Sequence, residues 1–357
     1  MITTGASQLG PLMQPIASDP ALLDEPLAVL LRYSLIRRNK DDNTVSMHRL
    51  VQAMLKVTMD YEIQRPWAEK IVQAVNQAFP SDLDVETWPK CERYLPHAQA
   101  CADLVNQYTL TSPGAGRLFN LAGYYLLMRA LYKQAEPLLK QSLVIREEVL
   151  GSTHPETATS LHTLAYLYRS QGKYEQAEPL QQQALTIWEE VLGPMHPDTA
   201  TGLNTLAMLY YSQGKYEQVE PLLKRALAVR EEMLGPMHPD TAISLNNLAG
   251  FYWCQGKYEQ VEPLLKQSLA ILEEVLGSMH PNTAISLNNL AMLYHRQGRY
   301  ERAEPLLKRA LVAMEKALVP NHLATMTVRI NQARLLADMK LAKQLLAEKT
   351  PSVPQKE

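Results

Sequence analysis

The residues in this sequence best suited to chemistry are three asparagines that recur at a spacing of 42 residues, Asn204, Asn246 and Asn288. A carboxamide both donates and accepts hydrogen bonds, so a row of carboxamides can pair with an extended polypeptide backbone. Apolar, aromatic and cationic side chains recur beside them. The complete set of candidate binding residues is Arg169, Thr201, Asn204, Met208, Tyr211, Asn246, Trp253, Asn288, Met292, His295 and Arg296.

The 42-residue segments that contain these asparagines are nearly identical at most positions, but they differ at some of the candidate positions. Tyrosine and tryptophan are typical anchors at binding surfaces, and an arginine can pair with an acidic side chain or a chain terminus. This variation favours a binding surface, although neutral drift of solvated positions would produce the same pattern. Five residues after a recurrent leucine, the copies carry Arg169, Tyr211, Trp253 and His295.

The asparagines also have a structural alternative. Asn247 and Asn289 directly follow two of the candidate asparagines. Carboxamides at such neighbouring positions can simply hydrogen-bond the adjacent helices, in which case they would serve packing and not binding. The sequence leaves both interpretations open.

Nothing in the sequence resembles a catalytic set, and we expect no enzymatic activity, no cofactor and no metal. A recurrent histidine stands before a proline in each copy, without a carboxylate pair at metal-ligand spacing, which favours a structural role. The Gly-Lys pairs are followed by tyrosine and lack the serine or threonine of a phosphate-binding loop. The three cysteines form no close pair, which argues against a disulfide framework or a zinc site. They are Cys91, Cys101 and Cys254.

The candidate residues belong to a repeat with a fixed period of 42 residues, which indicates a protein of stacked repeats. The dipeptide His-Pro returns at residues 154, 196, 238 and 280, and each copy predicts two helices. The first helix begins at the proline, which suits the first helical position. The second follows a Gln-Gly-basic-Tyr turn, and Gly235 is the expected left-handed stop of its copy.

The first helix of each copy, helix A, carries a Leu-Ala pair with a tyrosine near its end. Helix B has small residues where two helices would cross (Ala184, Ala226, Ser268 and Ala310). This pattern resembles the tetratricopeptide repeat (TPR), and the 42-residue period with its Leu-Gly-x-x-His-Pro loop resembles the kinesin-light-chain type. The resemblance implies an all-α, right-handed TPR α-solenoid. It also implies that helix A lines a concave groove that binds a protein or peptide ligand.

The two ends of the array depart from the pattern. The first repeat starts near Leu118 and has Ala130 where the turn glycine is expected. At the other end, Val319 stands in place of a glycine, and less apolar helices are expected from Leu323 to about Ala347. Polar terminal helices are what a capping repeat requires.

The N-terminal segment predicts a helix, a β-hairpin and a second helix. The expected strands are Tyr33–Arg38 and Thr44–His48, joined by a polar turn, and the second helix runs from Leu50 to about Met59. The residues around this hairpin resemble the end of the winged-helix domain of NB-ARC signalling ATPases, the STAND class.

In that class, a Met-His-Asp motif places its histidine against the β-phosphate of bound ADP. Met47 and His48 match the first two positions, and Arg49 replaces the aspartate. His48 is therefore either a nucleotide-sensing residue or a histidine with ordinary hydrogen bonds at the end of a strand. The first role needs a nucleotide domain upstream. ADP or ATP is expected only through such a domain, because this sequence has no phosphate-binding loop.

The predicted domains are a winged-helix-like remnant (1–60), a helical connector (61–113), a TPR array with C-terminal capping helices (114–348) and a disordered tail (349–357). Trp67 and Trp88 of the connector are expected in the core. Met1 falls within the predicted winged helix, which favours a missing upstream part. The chain is thus expected to be a protein-binding scaffold. It is either the sensor part of a STAND-type signal-transduction protein or a stand-alone adaptor like a kinesin light chain.

Charge and hydropathy argue against other partners. The net charge is −2 and the pI is about 6.5, so we expect no nucleic-acid partner. The most apolar stretch, Leu121–Met128, is far shorter than the roughly 20 residues that cross a bilayer, and no signal peptide is recognisable. We expect a cytoplasmic protein with no membrane partner. The basic residues around the hairpin form only a thin patch, made of Arg32, Arg37, Arg38, Lys40 and Arg49.

Overall fold

The computed structural model describes residues 19–33, 35–39, 44–318 and 322–349. The chain forms two compact units, divided in the sequence between Leu167 and Tyr168. The described residues are predominantly helical, with a two-stranded sheet near the N-terminus.

The first unit opens with that sheet between two helices. A short 3-10 turn at Pro20–Leu23 leads into α1 (Asp24–Arg32). Strand β1 (Ile36–Asn39) then pairs antiparallel with β2 (Thr44–Met47), and α2 (Arg49–Thr58) follows. The helix-hairpin-helix order agrees with the sequence. The predicted polar turn was 39–43; Asn39 instead ends β1, paired with Thr44, and residues 40–43 lie outside the described residues.

Both strands are shorter than predicted, because residues expected at their ends form hydrogen bonds with the helices on either side. The Leu35 amide donates to the carbonyl of Leu30 at 3.0 Å and so extends the end of α1. His48 is the N-cap of α2, and its Nδ1 accepts from the Leu50 amide at 3.3 Å. His48 keeps an extended backbone, and its amide still donates to the Leu35 carbonyl across the hairpin at 3.4 Å. The hairpin pairing therefore ends at the residue whose side chain caps α2.

Longer helices complete the first unit. Two of them occupy the predicted connector and two form the atypical first repeat, in which Ala130 adopts the left-handed conformation (φ 58°) that glycine adopts in the later turns. The division between the units falls inside the next helix, α7. The bounds are α3 (Tyr61–Ala78), α4 (Trp88–Tyr108), α5 (Pro113–Met128), α6 (Tyr132–Leu150) and α7 (Pro155–Ser170).

The two connector tryptophans have different environments. Trp88 is buried at the start of α4, with its ring edge-on to Tyr125, and the prediction of a core residue is correct for it. The prediction is wrong for Trp67, which is 39% exposed on α3. Lys70, one turn further along the same helix, lies with its Nζ 5.0 Å from the Trp67 ring centroid. The ring therefore contacts a cation at the surface and leaves the core to the smaller residues of α3.

The second unit consists of the remaining helix pairs in a TPR-type solenoid arrangement. The array ends in one long helix, where the sequence predicted several shorter ones; residues 319–321 and the predicted tail, 350–357, lie outside the described residues. A 3-10 turn (Tyr216–Gln218) leads into α10, so this helix begins later than its sequence suggests. The helices are α8 (Tyr174–Val191), α9 (Pro197–Ser212), α10 (Val219–Met233), α11 (Pro239–Cys254), α12 (Tyr258–Val275), α13 (Pro281–Arg296), α14 (Tyr300–Ala317) and α15 (Leu323–Lys349).

The His-Pro loop has the same hydrogen bonds in each copy. In the copy that opens α11, the Nδ1 of His238 accepts from the Asp240 amide at 3.1 Å, and Pro239 takes the first helical position. The hydroxyl of Thr241 donates to the carbonyl of Gly235 at 2.9 Å. The histidine thus satisfies one of the amides that every helix start leaves unpaired.

The loop glycines have positive φ, which residues other than glycine rarely adopt. Gly235 follows the C-cap residue Leu234 of α10 and has φ 92°, in agreement with the predicted glycine stop. Gly151, at the end of α6, has φ 94° and ψ 158°, a region that only glycine enters freely. The turn glycines between helices A and B also have positive φ, for example Gly214 at φ 76°.

Small residues let the helices of the second unit approach closely. Ala226 and Ala310 are fully buried at the crossings predicted for them. Ser268 takes the same place in its copy, and its hydroxyl donates to the carbonyl of Ala242 at 2.8 Å. A buried hydroxyl without a partner would be unfavourable, and this bond removes that cost.

Candidate functional site

Most of the candidate binding residues lie on helix A of successive repeats. In the second unit these helices are α9, α11, α13 and the final helix α15. Adjacent members of this series exchange side-chain hydrogen bonds at a sequence separation of 43 residues. We call the surface that they form the A-helix face. It carries two rows of side chains and a cavity.

The first row, the asparagine row, is the same at each junction between helices. Asn247 donates to the Oδ1 of Asn204 at 3.1 Å, and Asn289 donates to the Oδ1 of Asn246 at 3.2 Å. On the final helix, Asn331 donates to the Oδ1 of Asn288 at 2.9 Å. The structural alternative for these residues is therefore real, since each candidate asparagine accepts a bond from the next helix A.

These bonds do not use the full capacity of the carboxamides. The bonds between helices take the oxygens of Asn204 and Asn246 and leave the NH2 groups of those two residues unused. Asn288 uses its NH2 group as well, because its Nδ2 donates to Asn289 at 3.3 Å. A carboxamide oxygen has two lone pairs, so the row can still pair with a polypeptide placed against it.

The second row, the variable row, has a different pair at each junction. The hydroxyl of Tyr211 lies 2.6 Å from the Sγ of Cys254. The guanidinium of Arg296 stacks 5.6 Å from the ring centroid of Trp253. At the last junction, the Nε2 of His295 lies 2.8 Å from a carboxylate oxygen of Asp338. The separation is again 43 residues, so the positions that vary most between copies contact one another.

The aromatic member of each pair in the variable row also contacts the tyrosine of its own turn. The rings of Trp253 and Tyr258 meet edge to face with centroids 5.7 Å apart, and Tyr211 and Tyr216 are 5.7 Å apart. The contact with the Cys254 thiol and partial burial raise the pKa of Tyr211 to about 12. Tyr211 is therefore a neutral hydrogen-bonding group at physiological pH.

Thr201 contributes to the interior. Its hydroxyl accepts from the Nη2 of Arg230 at 3.0 Å. Arg230 is only 4% exposed and also bonds the Asp240 carbonyl and the Ser244 hydroxyl, each at 2.9 Å. Burial lowers the pKa of Arg230. Arg146 stands two periods earlier, is equally buried and bonds the Glu156 carbonyl and the Ser160 hydroxyl in the same way. Sequence reasoning missed both arginines, because the copies between and after them hold Trp188 and Leu272 at this position.

The remaining candidates are half-buried or exposed. Met208 and Arg169 are half-buried near the ends of α9 and α7, and Arg296 is exposed. The structure thus brings Trp253, Asn288 and Met292 together around one cavity. It places Asn204, Asn246, Tyr211, His295 and Arg296 in the two rows and Thr201 against the buried Arg230, whereas Met208 and Arg169 belong to neither row.

A cavity of about 310 Å³ opens on the A-helix face between α11 and α13. Val261 and Leu265 of α12 form a buried apolar floor. Trp253, Asn288 and Met292 were predicted from the sequence. Gly250 holds the position of Met292 in its own copy but was not chosen as a candidate, because the absence of a side chain gives no chemical signal. The lining residues are Ala249, Gly250, Trp253, Val261, Leu265, Asn288, Asn289, Met292 and Asn331.

A glutamate on helix B forms ion pairs in successive copies. Glu220 accepts from Lys224 of its own helix at 2.8 Å and from Lys257 of the next turn at 3.3 Å, and the Tyr252 hydroxyl donates to it at 3.1 Å. These bonds, chiefly the one from Lys224, lower the pKa of Glu220 to about 2. Glu178 and Glu262 make matching ion pairs with Lys215 and Arg299, so this acidic position has a structural role in each copy.

His48 belongs to the first unit, where it caps α2 and is exposed. The described residues contain no group of three histidine, cysteine or acidic side chains placed to hold a metal ion. Within the same residues, none of the helices has both the length and the apolar character needed to cross a bilayer.

One relative and two solved structures show what the chain is similar to. It is 34% identical over 141 residues to a nucleotide-binding leucine-rich repeat (NLR)-like protein of Hyaloscypha variabilis, and the match covers 39% of this chain. The chain spans only 14% of the length of that relative.

The solved structures cover more of the chain. Nearly identical TPR-like repeats attributed to a kinesin light chain of Podosopora anserina are 28% identical, with a TM-score of 0.46, over 58% of this chain and 98% of that chain. NprR, solved with its cognate peptide NprX, is 15% identical with a TM-score of 0.58, over 85% of this chain and 82% of that chain.

Family models match both parts of the chain. A domain of unknown function, DUF7779, matches residues 11–63, which include the hairpin. The tetratricopeptide repeat matches residues 115–187, 163–232, 240–316 and 286–346, which together exceed half of the sequence. The 42-residue helix pairs and their stacked A helices agree with this match, and the chain belongs to the tetratricopeptide repeat family.

Proposed function

We propose that the A-helix face binds an extended peptide segment of a protein partner, and that the chain is the sensor part of a STAND-type signal-transduction protein. The observation that carries the first statement is the cavity between α11 and α13. It combines an apolar floor and two large anchoring side chains with the asparagine row on one side. Binding sites have this composition, mostly apolar with a few placed polar groups.

The chemistry suits a polypeptide in extended form. Main-chain amides and carbonyls alternate along such a segment, and carboxamides can serve both. Trp253 offers a flat apolar surface beside the row. Arg296 stacks on that ring with one face of its guanidinium, and its exposed N–H groups can pair with an acidic side chain or a C-terminal carboxylate of the partner.

The fold is consistent with this role. NprR has the same fold over most of its length and was solved with a peptide bound. That likeness concerns the fold alone, so the identity of the partner of this chain rests on its own residues.

Two observations support the STAND context. The relative named for nucleotide binding is much longer than this chain. In addition, α2 exposes an apolar stripe at helical spacing, Leu50, Met54 and Val57, with Val57 86% exposed. Such a stripe is typical of a surface that another domain covers. In this context, ADP or ATP would bind an upstream domain and His48 would sense it through the ring nitrogen that does not cap α2.

A peptide-selection experiment tests binding at the A-helix face. Random linear peptides displayed on phage are selected on the full chain, and the selected peptides are titrated by fluorescence anisotropy. We expect Trp253→Ala to weaken the selected peptides about tenfold or more, as loss of an aromatic anchor does. Asn246→Ala combined with Trp253→Ala should abolish binding without loss of helicity.

The matched control is Val312→Ala, a truncation of an exposed side chain on helix B (α14). It should leave the peptide affinity unchanged. Failure to select any peptide, or equal affinity for Trp253→Ala and the native chain, would overturn binding at this face.

The second candidate is a stand-alone adaptor, favoured by 42-residue repeats that resemble those of kinesin light chains. An immunoblot of the native cells with an antibody against the repeats separates the two. A band near 40.3 kDa would favour the adaptor, and a much larger band would favour a fused nucleotide-binding module. In the second case, His48→Ala should change ADP affinity of the full-length protein.

A further inference from the structure

One position on the A-helix face lacks a side chain that its counterparts have. Two residues after the recurrent leucine, the copies carry Tyr166, Met208, Gly250 and Met292. Gly250 lies in the interior of α11, where glycine is less favourable than alanine because of its backbone entropy. Its φ is not positive, so backbone conformation does not require glycine there.

Close packing does not require glycine at this position either. A Cβ atom built on Gly250 would meet no other atom within 4 Å. Gly202, on the preceding A helix, shows the contrast, because its Cβ would lie 3.1 Å from Leu185 and from Trp188. Gly202 is explained by a close helix contact, whereas Gly250 faces open space.

That open space is the cavity described above. Gly250 forms part of its wall, Val261 and Leu265 lie at its floor, and Trp253 and Met292 flank it. The side chain that other copies place here is therefore missing from a site that is otherwise built to surround an apolar group.

We infer that this cavity is a specificity pocket that takes one apolar side chain of the bound peptide, of the size of methionine or leucine. The inference rests on the proposed function and names the residue type that the peptide must contain. The guest side chain would occupy the volume that Met208 and Met292 fill with their own side chains in the neighbouring copies. A volume of about 310 Å³ lies at the small end of the range for ligand sites, which suits one side chain and the main chain beside it.

The polar side of the pocket fixes how the guest enters. Asn288, Asn289 and Asn331 line it and form a continuous series of hydrogen bonds. The bond to Asn288 uses the Nδ2 of Asn331 and leaves its Oδ1 as an acceptor beside the apolar floor. A main-chain amide of the peptide can donate to that oxygen while the adjacent side chain enters the pocket.

The test uses a substitution that fills the pocket and measures the affinity of the selected peptides for the variant. Gly250→Met places in α11 the residue that Met208 and Met292 provide elsewhere. We expect it to weaken peptide binding at least about tenfold, the scale on which an apolar pocket discriminates by size. Gly250→Ala should give a smaller loss. Both variants should raise the thermal midpoint, because they replace a glycine inside a helix.

Two controls make the result specific. Ala270→Met adds a similar side chain on the exposed side of α12 and should leave peptide affinity unchanged. The selected peptides should share one apolar residue, and its replacement by alanine should cost the native chain at least about tenfold in affinity while costing Gly250→Met little.

The outcomes separate the pocket from the broader proposal. Peptides that bind the native chain and Gly250→Met equally, or that share no apolar residue, would overturn the pocket while the peptide-binding face stands. If no peptide binds the native chain, both fail. Loss of binding with a lowered thermal midpoint in Gly250→Met would show misfolding and not occlusion, and would overturn the inference that this space is free for a guest.

Discussion

The two rows on the A-helix face use the same spacing for opposite purposes. The asparagine row repeats one contact, asparagine to asparagine, at every junction from α9 to α15. The variable row changes its contact each time, from tyrosine and cysteine to tryptophan and arginine to histidine and aspartate. Both rows join residues 43 positions apart, so they lie on the same helices and connect the same neighbours.

This difference matters in an array of nearly identical repeats. A row with the same pair at every junction stabilises stacking but accepts any repeat as the next one. A row with a distinct pair at each junction favours the native order, because a displaced repeat would bring mismatched side chains together. The variation that suggested a binding surface therefore has an internal partner at each of three junctions. Its role in ligand binding stays a prediction that rests on the cavity.

The largest effect is expected from breaking the asparagine row. Asn288 is 8% exposed, and its carboxamide both accepts from Asn331 and donates to Asn289. Asn288→Ala should lower the free energy of unfolding by about 2 kcal/mol, because it leaves buried polar partners unsatisfied. Urea unfolding followed by far-UV circular dichroism measures the change.

The control is Asn204→Ala, which removes the more exposed Asn204–Asn247 bond at the other end of the row. It should cost about 1 kcal/mol. Costs within error of zero for both variants would mean that the row does not stabilise stacking, and equal costs would mean that burial does not set the size of the contribution.

A smaller effect is expected in the variable row, where the pairs are partly exposed. Trp253→Ala and Arg296→Ala remove the two members of the stacked pair. A double-mutant cycle should give a coupling free energy of about 0.5 to 1 kcal/mol, the range of a partly exposed cation–π contact. The Met208→Ala and Arg296→Ala pair, whose members lie two junctions apart, serves as the control and should be additive. Additivity of the Trp253 and Arg296 variants would show that this pair of the variable row has no energetic role.

The sequence was sufficient to predict the structural features that recur every 42 residues. The helix pairs, the proline at each helix start and the small residues at the crossings follow from patterns that recur, and the structure has them. It was not sufficient for contacts between helices. The pairing of Tyr211 with Cys254 joins residues whose types do not suggest each other. The buried Arg230 occupies a position that is arginine at 146 but Trp188 and Leu272 in the adjacent copies, so the 42-residue pattern does not reveal it.

The cavity escaped sequence reasoning for a different reason. Candidate residues were chosen for the groups they carry, and Gly250 carries none. Its position was nonetheless informative, since the other copies have two methionines and a tyrosine there and the glycine is an outlier. The ends of elements were also misjudged, as at His48, whose amide still bonds the opposite strand while its side chain caps the next helix.

The smallest effect is expected from a third contact that repeats without variation, the ion pairs of Glu220. Its pKa is lowered to about 2 in the folded chain, chiefly by Lys224, against about 4.3 for an unfolded glutamate. A carboxyl group whose pKa is lower in the folded state stabilises the fold at any pH above its pKa in the unfolded state. This stability is lost as the pH falls from about 4.3 towards 2. The difference in unfolding free energy between the native chain and Glu220→Gln should therefore be constant near neutral pH and shrink through that window. Exposed ion pairs contribute at most about 1 kcal/mol, and the Glu220 side chain is 27% exposed. A difference that does not change between pH 7 and the acid limit would show that Glu220 acts through packing and not through its charge.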